Sequence, residues 1–215
     1  MIHINKKQEP EDLKALRVDD SGSHYYITEA RPYLIEEQNE LCAYCERRIE
    51  RDSSHTEHLK PKSIYPDLKL DYKNLVASCN GFFLENESKA KETCGHRKDN
   101  SFDEDLFLDP TTVTNITDYF IYNKDTGEIF SNPNKSEYEQ TQANHMIELL
   151  NLNYSPPSKN GHALPMARQK AKIALIETIK KSPKAEEDYK ALLSELINVK
   201  TAFITFLQYC FSSYY

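Results

Sequence analysis

The sequence predicts an α+β protein: a small cysteine-stapled ββα finger, a β-hairpin beyond it, and a mainly helical C-terminal part. Three observations carry this. Four of the five cysteines fall within one 53-residue window, at 42, 45, 79 and 94. Two β-rich runs flank Asp125-Thr126-Gly127. Beyond Ser136, apolar residues recur at helical spacing.

The totals agree with that architecture. A chain of 215 residues holds one sizeable domain or two small ones, and with 39% apolar and 28% charged residues it can bury a core. The expected division is an N-terminal arm and helix at 1–41, a cysteine-rich core at 42–110, and a hairpin plus helical region at 111–215. No stretch of about 18 apolar residues appears, so no membrane association is expected. The opening MIHINKKQEPEDL lacks the apolar run of a secretory signal, which points to the cytoplasm. There thiols stay reduced, and clustered Cys and His read as metal ligands.

In chain order, residues 1–27 read as an irregular arm with a polar DDSGS stretch at 19–23. RPYLIEEQNEL, 31–41, reads as a helix with Pro32 in its first turn and Leu34, Gln38 and Leu41 on one face. DYFIYNKDTGEIFSN, 118–132, is the hairpin, with Gly127 free to take a positive φ. Ser136 and Glu139 form a capping box for a helix through Leu150. A second helix spans about Leu164–Lys181. Ser182-Pro183 opens a third, carrying Tyr189, Leu192, Leu193, Leu196, Phe203, Leu207 and Phe211 on one face. Its end, AFITFLQYCF, is either core or a docking surface, and Cys210 within it is expected as a buried small hydrophobe.

The chemistry lies in the middle. Cys42-Ala-Tyr-Cys45 lets one tight turn chelate an ion, and Cys79 and Cys94 would complete a tetrahedral structural Zn²⁺ site of four thiolates. The 14 residues between the last two form a loop extruded from the site. HTEHLKPKS, 55–63, offers Glu57 as an oxygen ligand for a hard divalent cation, Mg²⁺ or Mn²⁺. Beside it His58 offers a base near neutral pH, and Pro61 turns the strand into a loop. Asn74, where DYKN leads into LVASC, can tie the loop bearing His58 to the finger; taken alone it is an ordinary turn residue. Cys94-Gly95-His96-Arg97-Lys98 begins the finger's helix. There His96 would reach back as a second metal ligand, and Arg97 and Lys98 would meet phosphate oxygens.

Together, Cys-x-x-Cys, Glu57-His58-x-x-Pro61, Asn74-Leu75, Cys79 and Cys94-x-His96 resemble the HNH endonuclease superfamily. More narrowly, LCAYCERRI, EHLKPKS, LDYKNLVASC and CGHRK resemble the HNH proteins of retrons and Septu-type anti-phage defence. The resemblance implies a zinc-stabilised ββα-metal, treble-clef-like fold. It implies His58 as general base, Asn74 as the middle residue, and Glu57 with His96 on the catalytic divalent ion. Asn80 competes with His96 for the last position, and His55 is either a residue orienting Glu57 or a surface histidine. It further implies a defence effector working with an SMC/ABC-type ATPase, and possible association with a retron reverse transcriptase and its nucleic-acid product.

Charge bears on this directly. Residues 42–100 hold 11 Lys+Arg against 10 Asp+Glu, so this stretch carries +1 and the rest of the chain −8, for a net charge of −7. Phosphate neutralisation dominates nucleic-acid affinity, so the chain alone should bind weakly and a partner would supply the grip. The charge sign, and the lack of a basic recognition helix, argue against a sequence-specific DNA-binding regulator. The remaining alternative to a nuclease cutting DNA or RNA is a non-catalytic zinc-finger module that binds a protein.

Overall fold

The computed structural model describes residues 1–18, 23–81, 92–155, 163–182 and 189–214. At its centre are two antiparallel strands, Ser54–His58 (β1) and Leu75–Cys79 (β2), with Ser54 opposite Cys79 and His58 opposite Leu75. Every residue of β2 is buried. Its run Leu75-Val76-Ala77 is apolar throughout because it is covered on both faces.

The N-terminal segment is more ordered than the sequence suggests. Its described part holds a short helix, Glu11–Ala15 (α1), and a long one, Ser23–Glu37 (α2), that lies against both strands. The helix expected at 31–41 thus starts eight residues earlier and stops at Glu37, with Pro32 inside it. Most of the DDSGS stretch, residues 19–22, lies outside the described residues, so only the helix start at Ser23 is visible. Just past α2, the Gln38 amide stands in for a missing strand. Its Nε2 donates to the carbonyls of Leu41 (2.9 Å) and Ala77 (2.8 Å), and its Oε1 accepts from the Ala77 N–H (2.7 Å). A buried strand edge is thereby satisfied without a third strand.

After β2, the spacer at 82–91 lies outside the described residues. The chain returns as Cys94–Lys98 (α3), a helix of one turn and a half. The second hairpin is as expected: Phe120–Tyr122 (β3) pairs antiparallel with Ile129–Ser131 (β4), Tyr122 opposite Ile129. Gly127 has φ +77, and a Cβ there would stand 2.4 Å from the Pro165 carbonyl oxygen, so both backbone and space require glycine.

Glu137–Leu149 (α4) carries the Ser136/Glu139 capping box, and Leu164–Lys181 (α5) has the expected bounds. The third helix does not run through. Ser182 ends α5, and residues 183–188, including the expected start at Pro183, lie outside the described residues. Two helices then follow, Tyr189–Leu196 (α6) and Ile204–Cys210 (α7). The break falls at Phe203, which sits in the left-handed region at φ +57. Phe203, Ile204, Phe206, Leu207 and Phe211 are buried, which makes this end core; Cys210 is only half-buried. No helix among the described residues is long and apolar enough to cross a membrane.

Candidate active site

The four clustered cysteines converge. Cys42 and Cys45 lie on a tight turn closed by the Leu41–Arg48 bridge, where the Glu46 N–H donates to the Cys42 carbonyl at 3.1 Å. Cys79 ends β2 and Cys94 opens α3. Among the described residues these four sulfurs form one buried group in which all donor atoms lie within 4.8 Å of one another. No disulfide joins them. Burial raises the Cys42 thiol, but hydrogen bonds from the other three cysteines and from the Cys79 N–H (3.3 Å) outweigh it and hold it well below its ordinary value. Cys94 is held at φ +58, with its N–H on the Leu150 carbonyl at 2.9 Å. Such a conformation costs a non-glycine residue about 1–2 kcal/mol and persists where the surroundings dictate it. Four buried sulfurs this close suit one thiophilic ion.

Strand alternation sets the second cluster. His55 and Glu57 project from one face of β1, opposite Thr56, whose hydroxyl donates to the Ile27 carbonyl of α2 at 2.7 Å. On their face lies α3. The cleft between them, about 210 Å³, is lined by His55, Glu57, His58, Gly95, His96 and Lys62, with Asp99 and Asn100 at its edge. The His55 and His96 rings lie 4.1 Å apart at 44°. His55 Nε2 stands 3.8 Å from Glu57 Oε2, and its Nδ1 lies 3.3 Å from Asn80 Oδ1.

Glu57, His58 and His96 thus share a cleft. Among the described residues, the four cysteines are the group of three or more potential ligands whose donor atoms all lie within 4.8 Å of one another. Asn74 lies away from the cleft. Its Nδ2 donates to the carbonyls of Lys60 (3.0 Å) and Leu68 (3.2 Å), and its Oδ1 accepts from the Lys60 N–H (2.8 Å). That is the loop-tying geometry anticipated for it. The loop in question holds Lys69, whose carbonyl accepts from His58 Nε2 at 2.9 Å. Burial holds the His58 imidazole below its ordinary value, reinforced by Lys62 and Lys98 and opposed by the Lys69 carbonyl and Glu57. Burial, with His55 alongside, brings His96 down to about 4.

Lys98 departs from expectation. Its ammonium is fully buried, donating to Glu57 Oε1 and to the His58 carbonyl, each at 2.9 Å, and so is not available to a phosphate. Spacing held the clue: Lys98 is four residues after buried Cys94, on the same helical face. Arg97, by contrast, is exposed.

A family model described as HNH endonuclease matches residues 42–81, a span with Cys42, Cys45, His55, Glu57, His58, Asn74 and Cys79. Over 171 residues the chain is 34% identical to a protein of Vibrio cholerae serotype O1 biovar El Tor named "Retron Vc95 putative HNH endonuclease", covering 71% of this chain and 77% of that one. Over 88 residues it is 32% identical to the Septu protein PtuB of Bacillus thuringiensis, covering 37% of this chain and 34% of that one.

Proposed function

From the premise that this chain belongs to the HNH endonuclease family, we propose that it hydrolyses phosphodiester bonds in DNA or RNA with His58 as general base, as the effector of an anti-phage defence system. The observation that carries the mechanism is the His58–Lys69 hydrogen bond. A carbonyl can only accept, so the imidazole proton sits on Nε2 and Nδ1 is left bare. With the imidazolium disfavoured by burial, the ring is neutral at pH 7 and takes a proton from the attacking water. Asn74 acts at one remove, holding the 59–71 loop so that the Lys69 carbonyl stays in place. Lys62, exposed at the cleft rim, offers a positive charge to the phosphate.

The chain's own donors fit two metal sites. Cys42, Cys45, Cys79 and Cys94 would hold a structural Zn²⁺ and staple a ββα-metal finger. Glu57 and a cleft imidazole would hold a divalent ion, Mg²⁺ or Mn²⁺, which would supply Lewis-acid stabilisation of charge on the phosphate and the departing oxygen. A partner, an SMC/ABC-type ATPase or a retron reverse transcriptase with its product, would supply the grip on nucleic acid that a chain of net charge −7 lacks.

The test is His58→Ala in protein mixed with Mn²⁺ and labelled plasmid, tRNA and single strands, with and without an SMC/ABC-type ATPase if one is encoded beside it. Cleavage should be lost while fold and zinc content are unchanged. Because the His58 pKa is lowered, wild-type cleavage should be at its plateau at pH 7 and decline only as pH falls below about 6.5. A His58→Ala protein cutting at the wild-type rate removes the assignment.

A further inference from the structure

His55 was left undecided by the sequence, and the cleft gives it a definite role. Asn80 settles its tautomer. The Asn80 Nδ2 donates to the Asp52 carbonyl at 3.3 Å, which turns Oδ1 toward His55 Nδ1 at 3.3 Å. An amide oxygen only accepts, so Nδ1 carries a proton, and in the neutral ring Nε2 is then the lone-pair nitrogen. That lone pair faces Glu57 Oε2 at 3.8 Å, beyond hydrogen-bonding distance. The other carboxylate oxygen, Oε1, is already occupied by the buried ammonium of Lys98. With the ring in its neutral form, two acceptors face one another across this gap. A cation between them removes the repulsion.

Space has been left for it. A Cβ on Gly95 would stand 2.6 Å from His55 Nε2 and 2.9 Å from Glu57 Oε2, so any side chain there would wedge into the gap, and the sequence places glycine beside it. Two ligand atoms each about 2.1 Å from one ion lie about 3.0–4.2 Å apart as the angle opens from 90° to 180°. The 3.8 Å separation falls inside that range.

We infer that His55 Nε2 and Glu57 Oε2 are the divalent-cation ligands of this cleft, with Asn80 fixing the His55 tautomer and Lys98 reserving the second carboxylate oxygen. This rests on the nuclease reading only in assigning the cation to catalysis; the binding site stands independently of it. An imidazole ligand also selects the ion. Nitrogen donors favour first-row transition ions, whereas Mg²⁺ favours oxygen and water. Mn²⁺ should therefore bind at least ~10-fold more tightly than Mg²⁺.

The experiment loads the full chain with one equivalent of zinc, titrates Mn²⁺ alone and against Mg²⁺, and records pulsed EPR for ¹⁴N coupling. One Mn²⁺ should bind with a directly coordinated imidazole nitrogen. His55→Ala should abolish that coupling and weaken Mn²⁺ at least ~10-fold, as should Gly95→Ala, with zinc content retained. Asn80→Ala should weaken it about 10-fold, and Asn80→Asp, which still accepts from Nδ1, should restore it. His96→Ala is the decisive comparison. Coupling that survives His55→Ala and vanishes in His96→Ala overturns the assignment, as does Mn²⁺ bound with no nitrogen coupling, or no Mn²⁺ bound. Cleavage is scored separately. Intact Mn²⁺ binding without cleavage counts against the nuclease reading alone, and wild-type Mn²⁺ affinity in His55→Ala counts against this inference alone.

Discussion

Lys98 shows how a single buried charge can organise a surface cleft. Its ammonium has no exposure, yet it neutralises a carboxylate that lines the cleft and pins the backbone carbonyl of His58. A chain of hydrogen bonds follows: Lys98 donates to Glu57 and to the His58 carbonyl, the His58 ring donates to the Lys69 carbonyl, and Asn74 donates to the Leu68 carbonyl of the loop bearing Lys69. Breaking a buried pair costs more than its net worth, because the abandoned charge has lost its solvation. Lys98→Met keeps the volume and removes the charge, leaving Glu57 uncompensated. Since Glu57 borders a solvated cleft, the loss should be about 1–3 kcal/mol, below that of a fully enclosed pair. Adding Glu57→Gln should recover part of it in a double-mutant cycle. Strict additivity of the two substitutions in urea melts would show that the pair is not coupled.

At the level of elements, legibility followed the range of the physics. α5 and the capped start of α4 could be read because propensity, caps and proline are local signals, and the hairpin because Gly127 marks its turn. The turn from Ile197 to Phe203 could not. Chain reversal there uses a phenylalanine at φ +57, held by its N–H on the Glu46 carbonyl at 2.9 Å, a contact 157 positions away. The early start of α2 was hidden for a similar reason: its first turns are anchored by distant contacts, with Tyr26 fully buried and the Ile27 carbonyl accepting from the Thr56 hydroxyl. In the site, the residue types, their order and the shared strand face of His55 and Glu57 were legible, whereas where His96 falls beside them depends on how β1 and α3 meet. The local signals themselves can be weighed. Ser136→Ala removes a cap whose Oγ accepts from the Glu139 N–H and should cost about 1 kcal/mol. Gly127→Ala should cost more, since it adds αL strain of about 1 kcal/mol to a 2.4 Å clash with the Pro165 carbonyl. Thermal melts in which Ser136→Ala proves the more damaging would reverse that ranking.

The cysteine cluster is the point where distant parts of the chain meet. Glu46, the residue after Cys45, is buried and receives the Met1 amino group and both the N–H and the hydroxyl of Thr205, at 2.9 and 2.7 Å. Thr205 is bonded in turn to the Tyr122 hydroxyl of the second hairpin at 2.6 Å. On the other side, the Cys94 N–H holds the end of α4 through the Leu150 carbonyl. The turn around Cys42 and Cys45 thus fastens the N-terminal segment, the hairpin and α7 at once. Binding energy at a structural metal is folding energy, because the unfolded chain has no preformed site. If the sulfurs hold zinc, its removal should spread well beyond the finger. Titrating a thiol-directed mercurial with a zinc indicator present should release about one equivalent, and far-UV helicity should fall with it, including signal from α4 and α7. A zinc-dependent melting temperature is expected for the whole chain, not only for its centre. Stoichiometric release with helicity and melting unchanged would mean that the helical part stands without the staple, and that the contacts through Glu46 and Leu150 are passive.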